Sequence, residues 1–372
     1  MHLATLQTSY YDGAVGVTQC PIPPGESITY EVTNSPTSPA DRQQQWGTYW
    51  THGHHMGQYV DGLRTPSIIH RSDAPEAHAY DDEYTIALAD WYHDDHMSLL
   101  QNEFLNERNP TGAEPVPKSA LLYIAHTNAA NAVAPILPGF NENATLPFEA
   151  GKTYRLRIIN MAALAMFHFW IEGHDMRIIE ADGTDMQELP VDALTISVAQ
   201  RYSVLVTARN DTGVALRNWA IHANMDPDMF DAVPDDLQLN ITSTLGYPGA
   251  TELASDRPYL DEYMYFDDTR LVPVEQEGMA DPDTQYDLNV SFDTYANGQN
   301  VSRLPVSLSL MKTPFSDLLP LCSHLSTQAS TTSPMLRRRR LPSTPPLRWL
   351  PSPPIRPSTA QPPTRTFSIT ST

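Results

Sequence analysis

The chain has 372 residues, 41% of them hydrophobic, enough for roughly two to three packed domains. Its formal net charge of −21 argues against a nucleic-acid partner, whose phosphates need a basic surface, and suits a metal-cation substrate as well as plain solubility. Two cysteines, Cys20 and Cys322, do not make a disulfide framework, and no run of about 18 apolar residues offers a membrane span.

Residues 1–10 lack the basic and apolar regions of a secretion signal. Yet Asn-x-Ser/Thr sequons stand at Asn143, Asn210, Asn240, Asn289 and Asn300, which points to a secreted ancestor and a lost N-terminus. Short runs of β-branched and aromatic residues recur between Pro, Gly, Asn and Asp, at 84–91, 120–126, 153–160, 165–172, 194–199, 202–208 and 219–223. In 153–160 apolar and charged residues alternate, predicting a strand with one wet face. No helical periodicity of useful length competes. The expected fold is all-β, with Greek-key sandwich or barrel domains. Residues 1–72 read as a partial first domain, 73–245 as a complete second one, and 246–300 as a linker entering a third, with a strand at 286–293.

The composition then changes. Residues 1–300 hold 43 acidic and 14 basic side chains, whereas 301–372 hold one acidic residue, Asp317, and nine basic ones, including the run 337–340. That tail is dense in Ser, Thr and Pro, so disorder is expected. The arginine run alone reads as a polyanion or nuclear-import pattern. The abrupt break reads better as translation out of frame.

The most informative segment is 47–64, GTYWTHGHHMGQYVDGLR. His52 and His54 lie two apart in an extended stretch, which puts both imidazoles on one face, and imidazole suits copper. Spacing alone would also fit two ordinary surface or core histidines. The whole segment, with Asp12-Gly13 and GVTQCPIPPG at 16–25, resembles the first-domain signature of the multicopper oxidases. The resemblance implies cupredoxin-like domains. It makes His52 and His54 ligands of the paired type 3 coppers, and Asp12 an acid beside the trinuclear cluster that assists proton delivery. Without the resemblance, Asp12-Gly13 is a common turn. His2 stands one residue out of register with the family's first histidine pair and is set aside as a ligand. The family's third-domain His-Pro-x-His-Leu-x-Gly-His and His-Cys-His segments do not occur; Cys322 lies in Leu-Cys-Ser-His. Type 3 ligands are therefore expected in part and a type 1 site is not.

NPTGAEP at 109–115 resembles the fungal iron-transport ferroxidases within this family. By that resemblance Glu114 contacts iron, and Asp226 and Asp231, in NMDPDMFDAVP, lie near the same iron site, whereas composition alone would make all three solvated acids. Carboxylates favour the harder Fe(III) and so promote electron loss. The intact relative would oxidise Fe(II), reduce dioxygen to water, and work outside the plasma membrane beside an iron permease. The competing readings are a laccase-like phenol oxidase and a non-catalytic cupredoxin remnant. For the literal chain, the missing ligands make turnover unexpected.

Overall fold

The structure is a computed structural model. It describes residues 2–3, 20–33, 46–70, 77–104, 109, 113–127, 135–210, 217–254, 263 and 265–276, with short strand segments beyond residue 286. Two compact units form. One comprises Met1–Glu103, Ala113–Glu277 and Pro362–Thr372; the other comprises Phe104–Gly112 and Gly278–Gln361.

In the first unit the chain runs through β1 (His2–Leu3), β2 (Ser27–Thr33), β3 (Gly47–His52), β4 (Arg64–Ile69), β5 (Asp82–Trp91), the short helix α1 (His96–Leu99) and β6 (Ser119–Thr127). It continues as β7 (Thr145–Pro147), β8 (Thr153–Asn160), β9 (Phe167–Ile171), β10 (Met176–Ala181), β11 (Thr184–Val191) and β12 (Leu194–Ile196). β13 (Arg201–Thr207), β14 (Asn218–Met225), β15 (Asn240–Gly246) and β16 (Leu253–Ala254) follow. Each predicted run from 84–91 to 219–223 falls on a strand, so the all-β expectation holds.

Two sheets share one core. The first has the order β11-β10-β13-β8-β5-β6; the second has the order β12-β9-β14-β15-β7, with β16 beside β14. Alternation along each strand sends Ile86, Leu88, Leu122, Ile124, Leu156, Ile158, Val204 and Val206 from the first sheet into the same cluster as Phe167, Phe169, Ile221, Ala223, Leu194 and Ile196 from the second. All of these side chains are fully buried. Among the described residues, no helix is long and apolar enough to cross a membrane.

The other face of the first sheet corrects one expectation. Arg155 and Arg157 on β8, predicted to lie on a wet face, are buried. The sheet β1-β3-β4 is laid over them. Trp50 of β3 packs with Ala87, Ile159 and Met161 in a second cluster. Beside it, Arg157 pairs with Glu83 at 2.8 Å and with Glu180 at 3.4 Å, and Arg155 pairs with Glu180 at 2.6 Å. Thr48 of β3 donates to Glu180 through its backbone N–H and its hydroxyl, at 2.6 and 2.9 Å. Arg201 reaches the Thr48 carbonyl at 2.9 Å. The charges alternating along β8 are therefore ion-pair partners for β10 and anchors for β3.

In the second unit, β17 (Asp287–Leu288) pairs with β20 (Val306–Ser307), and β18 (Ser291–Thr294) with β19 (Asn300–Arg303). β21 (Thr364–Thr370) pairs with β2 in the first unit. The rest of 301–372, expected to be disordered, lies outside the described residues.

Candidate functional site: a histidine loop and an acidic end

β3 ends at His52, which is half-buried, and the chain turns out so that His54 is exposed. Their ring centroids are 5.6 Å apart, and Trp50 and Tyr59 lie 4.6 and 5.0 Å from the His52 ring. His52 Nδ1 is 3.1 Å from the Gly53 carbonyl oxygen. The two imidazoles are thus neighbours, as their spacing predicts, although the second lies just beyond the strand. The backbone register places His2, which sequence reasoning set aside, opposite His52. Among the described residues no group of three or more His, Cys, Asp or Glu could hold a metal ion. Two nitrogens are present there, and a full ligand set is not. Asp12 lies outside the described residues.

The loop between His52 and Arg64 is fastened to the end of β5 and to the segment after β8. Arg64 Nη1 donates to the Met161 carbonyl at 2.6 Å and Nη2 to the Asp90 carbonyl at 2.5 Å, and the guanidinium lies 3.5 Å from the buried Asp90 carboxylate. Asp90 in turn accepts from the backbone N–H groups of Ala163, Leu164 and Ala165, at 2.8, 2.7 and 3.1 Å. Tyr59 donates its hydroxyl to the Ala162 carbonyl. Burial, then the Asp90 charge, push the Tyr59 phenol up, so it stays a donor. Arg64, Tyr59 and Asp90 escaped sequence reasoning. Tyr59 and Arg64 stand in the segment 47–64 without a role that pattern alone assigns, and Asp90 shows only as an acid at the end of an apolar strand.

Glu114 is exposed, in the segment leading to β6. Tyr92 donates to the Pro115 carbonyl at 3.0 Å, and Lys118 N–H donates to the Trp91 carbonyl at 3.2 Å, which ties this segment to the end of β5. Burial and the charges of Asp90, Tyr59 and Glu114, against Arg64, raise the Tyr92 phenol.

Asp226 follows β14 and is buried, with about 1% of its surface exposed. Its N–H donates to the Met166 carbonyl at 2.9 Å. Its carboxylate caps the turn Pro227–Met229 through the Asp228 N–H at 2.9 Å, accepts from Tyr265 at 2.8 Å, and lies 3.0 Å from His168 Nε2. The His168 ring stacks on Tyr263 at 4.0 Å. Burial opposes the Asp226 charge, but the Asp228 N–H, His168 and Tyr265 outweigh it and hold its pKa below the ordinary carboxylate value. Asp231 lies just past that turn and is exposed.

The histidine loop reaches the segment 161–166 and the end of β5 through Arg64 and Tyr59, the Glu114 segment reaches the end of β5 through Tyr92, and the Asp226 N–H reaches Met166. Glu114 and Asp231 reach solvent, while Asp226 is buried.

A family model described as multicopper oxidase matches residues 82–250, and a second with the same description matches 1–74. The chain is 59% identical over 296 residues to the iron multicopper oxidase fer1 of Mycosarcoma maydis, covering 79% of this chain and 47% of that protein. It is 37% identical over 295 residues to the iron transport multicopper oxidase FET3 of Saccharomyces cerevisiae, covering 79% and 42%. Among solved structures it resembles Fet3p, described as a multicopper oxidase that functions in iron import, with a TM-score of 0.68 and 35% identity over 82% of this chain and 52% of that one. The laccase from Botrytis aclada superposes with a TM-score of 0.55 at 26% identity, over 81% and 51%. The chain spans about half the length of the curated relatives it matches.

Proposed function

The chain belongs to the multicopper oxidase family, and from that premise we propose that it is part of a ferroxidase that oxidises Fe(II) with dioxygen as electron acceptor. The observation that supports the reading is the neighbouring His52 and His54 rings, in a loop tied to the end of β5 to which the segment of the exposed Glu114 is also tied. Relatives named an iron multicopper oxidase and an iron transport multicopper oxidase support it.

In this reading His52 and His54 supply two of the nitrogens that hold copper, a metal imidazole suits, and Asp12 keeps the proton-delivery role implied by its alignment. Bound copper supplies one-electron redox chemistry. Glu114 and Asp231 bind Fe(II) as substrate, and their hard oxygen donors favour the Fe(III) product. Asp226 does not need to face iron: buried and kept anionic, it caps the turn that presents Asp231. Arg64 and Tyr59 hold the histidine loop against 161–166. An iron permease beside the extracellular face of the plasma membrane is the partner this reading implies.

Calorimetric titration of the chain with Mn(II), a redox-stable stand-in for Fe(II), tests the acid pair. The double variant E114A/D231A should bind about tenfold more weakly. Unchanged binding would reduce both residues to ordinary surface acids.

A further inference from the structure

The histidine loop is closed by its own backbone. Gly53 N–H donates to the Leu63 carbonyl at 2.8 Å, Leu63 N–H to Gln58 at 2.9 Å, and Asp61 N–H to Gly57 at 3.0 Å. A loop tied this closely moves as one piece, so whatever seats its far side also sets where His54 stands.

The far side is seated on His96. Asp61 lies with one carboxylate oxygen 2.6 Å from His96 Nδ1, and its other oxygen accepts from the His96 backbone N–H at 2.9 Å. The imidazole packs so closely on Gly57 that a Cβ there would overlap the ring. Facing the Asp61 carboxylate, Nδ1 is the protonated nitrogen. Among the described residues, the buried Nε2 has no hydrogen-bond partner. Buried polar atoms are nearly always paired, so an orphaned nitrogen needs a reason. A histidine fixed by a carboxylate through one nitrogen is a device that orients neighbouring groups.

His96 also opens the other half of the site. It is the first residue of α1, which Asp95 caps through the Met97 and Ser98 N–H groups. α1 runs into a π-turn at Leu100–Phe104, from which the chain continues towards Glu114. π-turns are uncommon and concentrate near functional sites.

We propose that Asp61 and His96 are a positioning pair that sets the placement of His52 and His54 by seating the loop between them and Arg64. The consequence for metal rests on the reading of those histidines as copper ligands; the consequence for ring placement does not.

The test uses the full chain, as wild type, H96A, H96N, G57A and the reference variant H52A. The first readout is the carbon–proton ring correlations of His52 and His54 in metal-free protein. H96A and G57A should shift both and leave His222, at a distant position in β14, unmoved. H96N keeps a donor near the place of Nδ1 and should restore them. The second readout is titration with Cu(II) alone, where H96A and G57A should weaken binding about tenfold and H96N should not. Ring signals unmoved in both H96A and G57A would overturn the proposal. Binding that H52A itself leaves unchanged would overturn the copper reading while the ring shifts still decide the positioning role. Should H96A fail to fold, G57A displaces the ring without removing it, and an unmoved His52 and His54 in that variant is equally decisive.

Discussion

Glu180 ties β3 to the first six-stranded sheet through buried charges, and E180Q tests whether that join is ionic. Its carboxylate takes donors from Thr48 backbone and side chain, from Arg155 and Arg157, and from Ser203 at 2.5 Å. Glutamine removes the charge and turns one acceptor into a donor facing other donors. Removing one partner of a buried ion pair costs about 3–5 kcal/mol. A second route gives the same scale. Burial opposes the charge, but Arg155, Arg157, Ser203 and the Thr48 N–H outweigh it and bring Glu180 from its ordinary 4.5 down to about 2. A depression of that size is worth about 3 kcal/mol. Because the folded value is the lower one, this contribution is present in full above about pH 4.5 and is lost as pH falls towards 2. Urea unfolding at pH 7 should therefore show E180Q less stable by about 3 kcal/mol, and the gap should narrow between pH 4.5 and 2. Amide exchange along β3 should quicken, since glutamine leaves the Thr48 N–H and hydroxyl one acceptor oxygen in place of two. A loss below about 1 kcal/mol at pH 7, or a gap independent of pH, would refute an ionic join.

The other predictions are simpler. Cys20 and Cys322 are the only cysteines and neither stands in a His-Cys-His run, so copper-loaded chain should lack the intense blue thiolate-to-copper absorption; a strong blue colour would refute the ligand inventory. Gly183 has φ +86°, and a Cβ there would overlap the Tyr49 hydroxyl, so G183A should cost about 1–3 kcal/mol in thermal unfolding, and a neutral result would mean that β3 does not press on the β10–β11 hairpin.

The strand positions were legible because most carry β-branched and aromatic residues between clear breakers. The hairpin β10–β11 was missed although its signal is strong. Asp182 and Gly183, both with positive φ, form the two-residue turn that Asp-Gly favours, but the acids around it disguise the strands. β15 was hidden by its polarity: Asn240–Gly246 alternates small polar and apolar residues, and Asn240 drew notice only as a sequon. The wet face assigned to β8 failed for a different reason. Alternation reports that one side of a strand differs from the other, and Arg155 and Arg157 need Glu83 and Glu180, far away in sequence, to make that side dry. The same holds at the site. His52, His54, Glu114 and Asp231 could be picked out by local pattern, whereas Arg64, Asp61 and His96 matter only through contacts that folding creates.

Asp226 shows most sharply how a site read from sequence divides once it is folded. The segment NMDPDMFDAVP puts Asp226 and Asp231 in one acidic run, yet one is buried and the other exposed. If Asp226 acts by capping the turn and anchoring His168 and Tyr265, D226N should chiefly destabilise. Asparagine keeps an acceptor for the Asp228 N–H but loses the charge that His168 and Tyr265 meet. Hydrogen bonds to a charged group are worth about 1.5–3 kcal/mol each, so a loss of roughly 2 kcal/mol at pH 7 is expected. D231N should leave stability unchanged and weaken Mn(II) binding. The sign with pH follows from the depressed pKa of Asp226. Its contribution is present above the ordinary carboxylate range and disappears as acid titrates the folded carboxylate, so wild type and D226N should converge at low pH. Urea unfolding of both variants, paired with Mn(II) calorimetry, separates the roles. If D226N kept full stability but lost cation binding as D231N does, the buried acid would be a direct ligand, and the division between a supporting and a presenting carboxylate would be wrong.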